Sequence, residues 1–473
     1  MVLPAHSRPR DHAPATRLRA ARYDSSLALR TEAERRIAHL YRRAGFGLSP
    51  AELPAAVARG FQACVEELLH PEKVVDPMGE ALERLEGEIF DLTNLEDAQS
   101  WWLYRMIHTA RPLEEKIALF WHGHFATGAG KVDNVALLVR QNELFRAKGL
   151  GRFADLLGAV ARDAAMLLYL DGARSTKQKP NENFPRELLE LFTLGRGNYT
   201  EGDIRELARV FTGWKVREGE AVAEPKEHDN GPKTLFGETK PWKPEEICER
   251  LAASEATVRR LAGKLVRFFV SDAGVPDLEA EVARGWLESG GDIRGALGTI
   301  LRSPAFVSET ALRAKVKSPA EFVVGAIREL GIGVPVRRLP GPMAKMGQAL
   351  FNPPSVKGWD GGLAWINTAT LFERANFANT LVTYRVRKAD GRPFDPETWV
   401  GADADGPAVV GTFLDALLDG QAPPATREAL ENYLRMKGEK GILGPFRRTK
   451  RGLDEKVRGL ARLILSSPEY QLA

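Results

Sequence analysis

Cysteine is nearly absent from this chain. Cys64 and Cys248 stand far apart in helix-like context and match no metal or redox spacing. A disulfide framework is excluded at this density, and two buried free thiols are the expectation. Long apolar runs are missing too. A membrane-spanning helix needs about 18 consecutive apolar residues, and the most apolar segments, Ala164 to Leu170 and Phe322 to Ile327, are far shorter. No membrane span is expected. Charge of one sign is also lacking: 67 basic residues stand against 63 acidic ones, a net charge of +4. The two signs intermix along the helices, as from Glu245 to Arg260, whereas a nucleic-acid binder gathers one sign into a patch. The basic segment Arg447, Arg448, Lys450 and Arg451 reads as a solvated loop, so no nucleic-acid partner is expected.

Well-known catalytic signatures are missing as well. The chain has no phosphate-cradling Gly-x-x-x-x-Gly-Lys and no Gly-rich dinucleotide turn. It has no Gly-x-Ser-x-Gly elbow and no His-Glu-x-x-His helix. ATP-dependent, dehydrogenase and serine-hydrolase readings therefore lose ground. Residues 1–30 hold many Arg, His, Pro and Ala but no continuous apolar stretch of the secretory type. They read as a disordered arm, and a cytoplasmic location is the expectation.

What is present is helix. Apolar residues make up 44% of the chain and charged ones 27%, ordinary for a folded protein with a large core. Thr31 and Glu34 form a capping box ahead of Ile37, Leu40, Tyr41 and Ala44 at helical spacing. Further helices are predicted over 112–122, 185–194, 256–269, 278–289 and 293–302, and from Ser318 onward. From Trp214 to about Pro244 the pattern breaks into a long loop with room for a short hairpin, and 341–362 is loop-rich again. The segment 293–306 (IRGALGTILRSPAF) parallels 457–470 (VRGLARLILSSPEY): an amphipathic helix, Ser-Pro, then an aromatic. Two copies are too few for a solenoid. The expected fold is mainly α, a multi-helix body with long functional loops and no large sheet. The arm covers 1–30, the motif-bearing helical domain 31–387, and C-terminal helices packed on that body 388–473.

Several segments in order carry a resemblance. They are HLYRRAGFG from His39, FWHGHF from Phe120, NENFPRELLELFTLGRGNYTEGD from Asn181, FTGW from Phe211, HDNGPKTLFG from His228, and NPPSVKGWDGG from Asn352 with Trp365 after it. Together they resemble the family called domain of unknown function 1800. The resemblance implies that these motif residues matter together and supplies no reaction. Many relatives look exported, which sets the resemblance against the cytoplasmic expectation.

The motif residues suggest chemistry. His122 and His124 lie two apart. On a continuing helix they face opposite sides; in an extended His-Gly-His they could aim at one point and bind a divalent transition metal. The bland alternative is a buried His124 and a surface His122. His39 and Arg43 share a basic stripe near a helix C-terminus, which favours cations without any function but could also receive an anionic substrate. Glu187 and Glu190, three apart on one helix face, could supply a general base or a metal ligand; surface ion pairing is the plainer reading. His228 with Asp229 could titrate near neutrality, with Lys233 neutralising an anion, or could simply make a turn. Trp214 and Trp359 could stack on a sugar ring or fill a core. The expectation is a hydrolase- or lyase-type enzyme acting on an unknown polar substrate, carbohydrate among the options. Its catalytic set would be His122, His124, Glu187, His228 and Asp229, with His39, Arg43, Glu190, Trp214, Lys233 and Trp359 binding substrate. The alternative is a non-catalytic helical scaffold that binds a polymer or partner protein.

Overall fold

The computed structural model describes residues 30–473 apart from 80, 82–88, 386–391, 401–404 and 437–449, and describes backbone alone at 450–453. The arm expected over 1–30 lies outside the described residues except for Arg30, as do Arg447 and Arg448. The described chain is mainly helical, with two separate two-stranded hairpins and no large sheet. No described helix is long and apolar enough to cross a membrane. Cys64 and Cys248 are free and buried.

Local sequence explains most helix starts. Thr31 Oγ1 accepts the Glu34 N–H and the Glu34 carboxylate accepts the Thr31 N–H, opening helix Glu32–Arg43. Thr200 and Asp203 open Glu201–Val210 in the same way. Pro112, lacking an N–H to leave unsatisfied, opens helix Pro112–His124. The segment after Trp214 forms two antiparallel hairpins, Trp214–Arg217 with Glu220–Ala223 and Lys233–Leu235 with Glu238–Lys240. Its strands are only three or four residues long. The loop-rich stretch after Pro340 begins with a short helix, Pro340–Lys345.

One apolar core runs from Ile37 to Tyr470, and ionic groups are threaded through it. Glu321, on helix Pro319–Glu329, accepts from Lys116 Nζ at 2.6 Å, Lys315 Nζ at 2.7 Å and the Ser318 N–H at 2.8 Å. Lys116 also donates to the Gly45 carbonyl at 3.0 Å. Asp419 pairs with Arg30, Arg42 and Arg313. The repeated Ser-Pro-aromatic units end beside the first helix: Phe306 packs on His39 with ring centroids 4.8 Å apart, and Tyr470 O–H donates to Glu329, itself paired with Arg42. The chain end closes the same region, since Arg43 donates to the Phe269 and Ala473 carbonyls.

Burial alone would raise the Glu321 carboxyl, but Lys116 and Lys315 override it and hold it well below the usual carboxylate range. A depressed carboxyl stabilises the fold fully above its unfolded pKa, about 4.3. That contribution is lost as pH falls through the folded value. We therefore expect Glu321→Gln to lower stability by about 3–5 kcal/mol at pH 7, since two buried ammonium groups lose their partner. The urea midpoint of the variant should also fall less steeply than wild type below pH 4. Equal acid slopes for the two proteins would show that Glu321 does not carry this linkage.

Candidate functional site

A cavity of about 740 Å³ opens between helix Pro112–His124, helix Glu255–Phe269 and the loop that carries Trp359 and Trp365. Phe120, Phe268, Trp359 and Trp365 supply aromatic wall. Five cationic side chains line it, Arg260, Lys264, Arg267, Lys315 and Lys357, against two acidic ones, Asp272 and Asp360. Both acids are engaged: Asp360 pairs with Lys357, and Asp272 accepts the Val316 N–H at 2.8 Å. Lys315 is taken by Glu321. Arg260, Lys264 and Arg267 follow the i, i+4, i+7 stripe of one helix, so the helix turns one basic face to the cavity.

His124 sits in that wall. Its Nε2 lies 3.1 Å from the Phe192 carbonyl and its Nδ1 lies 2.9 Å from Lys264 Nζ. A carbonyl can only accept, so Nε2 carries the ring proton and Nδ1 presents a lone pair to Lys264. The carbonyl is available because the backbone changes pitch there. Helix Asn183–Glu187 passes into a π-helical turn over Leu188–Phe192. At its end, the Leu191 carbonyl meets Arg260 at 3.4 Å and the Phe192 carbonyl meets His124. Burial pushes the His124 imidazolium well down, with Lys264 adding repulsion. Burial also pushes Lys264 down to about 7, with Arg260 and Lys357 adding repulsion. Arg260 Nε is buried without a hydrogen-bond partner.

His122 faces elsewhere. The helix continues through His124, so the two rings take different partners and the extended His-Gly-His does not form. His122 is buried, not a surface residue. Its Nε2 accepts the Phe351 N–H at 3.1 Å, and its ring meets Trp102 edge-on at 5.2 Å and Trp359 at 5.5 Å. Trp102 is fixed by donating to Glu115, which Arg105 and Arg146 also bind. Burial alone pushes His122 down to about 3. It is a neutral clamp on the loop behind Trp359.

Gly123, between the two histidines, meets the same loop. Gly358 adopts φ +80°, and a Cβ there would stand 2.2 Å from the Gly123 carbonyl, whereas a Cβ on Gly123 itself meets nothing within 4 Å. The FWHGHF and NPPSVKGWDGG motifs are thus joined by backbone approach at Gly358.

Among the other predicted residues, only Trp359 lines this cavity with His124. His39 lies under the core, 2.9 Å from the Phe306 carbonyl, and is pushed well down by burial and by Arg43 and Arg42. Arg43 is buried on two carbonyls. Glu190 is held by Arg196 at 2.6 Å and Tyr199 at 3.0 Å, and Glu187, raised by burial and by Glu190, also lies off the cavity lining. His228 Nδ1–H donates to the Thr212 carbonyl at 2.9 Å, Asp229 pairs with Arg209 at 2.7 Å, and Lys233 Nζ donates to the Asp229 carbonyl. These three residues form a closed turn. Trp214 lines a separate cavity of about 390 Å³ beside Asp163. The metal expectation does not fit these residues. Both His124 nitrogens and the His122 Nε2 are occupied, and among the described residues no group of three or more His, Cys, Asp or Glu could hold a metal ion.

The sequence reading missed Lys264 and Arg260, although their helical stripe was readable. It also missed the π turn, which no local spacing announced.

The model of the family described as protein of unknown function, DUF1800, matches residues 39–472. Neither the curated proteins nor the solved structures give a match.

The Gly123 and Gly358 geometry separates two alanine substitutions. Gly358→Ala should lower stability by about 1–3 kcal/mol through left-handed strain and overlap. Gly123→Ala should leave stability within about 1 kcal/mol, because alanine favours a helix. Thermal melts of both variants check the pair, and a Gly358→Ala protein as stable as wild type would break the proposed motif junction.

Proposed function

We propose, for a chain that belongs to the DUF1800 family of proteins of unknown function, a hydrolase- or lyase-type enzyme acting on a polar, negatively charged substrate in the 740 Å³ cavity. The observation that carries this reading is Lys264 Nζ placed 2.9 Å from His124 Nδ1 at the cavity wall, with no carboxylate among their hydrogen-bond partners. A lysine beside a carboxylate stays an ammonium. One that is desolvated among other cations can lose its proton near neutrality and act as a general base or acid. His124, locked in one tautomer by Phe192, is the neutral partner that accepts the amine's hydrogen bond and holds it at the wall. The surplus of cations on the lining favours an anion, and the half-buried Trp359 supplies an aromatic wall suited to a sugar ring. An acidic carbohydrate or another ring-bearing carboxylate fits both features. The catalytic set of this proposal is Lys264 and His124, with Arg260 and Trp359 binding substrate. His228, Asp229 and Glu187 stand outside it.

The scaffold reading keeps one observation in its favour. Leu363, at the cavity lining, is 79% exposed and Phe372, nine residues on, is 65% exposed. Apolar side chains left in water mark contact surfaces.

Lys264→Met removes the charge while keeping the apolar stem. The variant should fold with an unchanged or raised melting temperature. It should lose at least about 10²-fold in turnover of a substrate found among acidic sugars and small carboxylates. Glu187→Gln and His228→Asn should keep turnover near wild type. A fully active Lys264→Met would remove the acid–base reading and leave the scaffold. Turnover should rise with pH through about 7, as Lys264 deprotonates.

A further inference from the structure

Resting on that reading of the cavity, the geometry points to Lys264 as an imine-forming nucleophile for an oxo acid, a substrate that carries both an aldehyde or ketone and a carboxylate. Three features of the site carry the inference. First, among the described residues the amine has one hydrogen-bond partner, an imidazole nitrogen that accepts. When Lys264 is neutral, an N–H points at His124 Nδ1 and the nitrogen lone pair is left for a carbonyl carbon. A lysine serving only to bind anions would have no use for a neighbour that accepts its proton. Second, Arg260 stands one helical turn away on the same face, with its Nε buried and unpartnered. A planar guanidinium in that state suits a carboxylate. Third, the walls around the pair are aromatic and aliphatic, Phe120 and Leu119 among them. Such walls keep the amine desolvated, a recognised way to activate a lysine nucleophile, as is a neighbouring cation.

The step balances without any further reagent. Lys264 Nζ bonds to the carbonyl carbon while the C=O π pair moves to oxygen. One amine proton passes to that oxygen, giving a carbinolamine. The second amine proton follows as the C–O bond breaks, so water leaves and a C=N bond remains. The carboxylate stays on Arg260 throughout. The imine then serves as an electron sink for cleavage next to the former carbonyl, which places the chemistry on the lyase side.

The test is reductive trapping on the full-length protein with cyanoborohydride and glyoxylate, pyruvate or propanal as probes, read by peptide mass mapping. At pH 7 the glyoxylate adduct should accumulate on Lys264 at least tenfold faster than on exposed lysines away from the cavity such as Lys131 and Lys226. The excess should vanish at pH 5, where the amine is protonated. Arg260→Gln should erase the preference for glyoxylate over propanal, and Lys264→Met, which keeps the apolar stem, should lose the fast adduct while melting no lower than wild type. Adduct spread evenly over surface lysines overturns the inference. In a parallel thermal-shift measurement, stabilisation by acidic sugars that Arg260→Gln abolishes would leave the anion site standing without the imine. No adduct and no stabilisation would remove both.

Discussion

Glu321 is the constraint on which the rest of the structure depends. A fully buried carboxylate in a helical protein has to collect hydrogen bonds and charge, because water is not there to do so. It collects Lys116 from the helix that ends in His124, Lys315 from the cavity wall, and the backbone of its own capping box. Lys116 reaches on to the carbonyl of Gly45, just after the first helix. One acid thus ties three separated stretches of chain. It also takes Lys315 out of play as a free cation in the cavity. What remains there without a carboxylate in an ion pair, among the described residues, is Arg260 with Lys264, since Arg267 pairs with Glu279 at 3.7 Å.

The two histidines of FWHGHF illustrate how one helix serves two ends. His122 takes a loop N–H and an indole edge, and so holds the Trp359 loop in place. His124, half a turn further, gives its proton to a carbonyl freed by the π turn and its lone pair to Lys264. Between them the Gly123 carbonyl receives Gly358, whose missing Cβ permits the close approach. The motif is therefore a junction, and of its two histidines it is His124 that lines the cavity, together with Phe120 and Gly123.

Much of the fold was legible in the sequence because its causes are local. Capping boxes at Thr31, Thr200 and Ser318, prolines at helix starts and apolar periodicity mark real helices. The resemblance drawn from ordered motifs agrees with the family match over nearly the whole chain. The site was less legible because its causes are not local. His228, Asp229 and Lys233 look chemical in a row but satisfy one another and Thr212 and Arg209 as a turn. Glu187 and Glu190 share a helical spacing and still sense each other, yet Glu190 lies in the π turn, held by Arg196 and Tyr199, and neither lines the cavity. Lys264 looked like one more basic residue on an amphipathic helix. What distinguishes it is the absence of an acid beside it, and that is a property of the packed chain.

The most direct measurement is the protonation of the Lys264 side chain itself, followed by NMR on lysine-labelled protein with Lys264→Met assigning the resonance. The account predicts a titration midpoint near 7, moved upward when Arg260→Met removes a neighbouring cation. A Lys264 midpoint at the ordinary lysine value, about 10.4, would mean that the amine is a permanent cation, and the acid–base account of the cavity would be wrong.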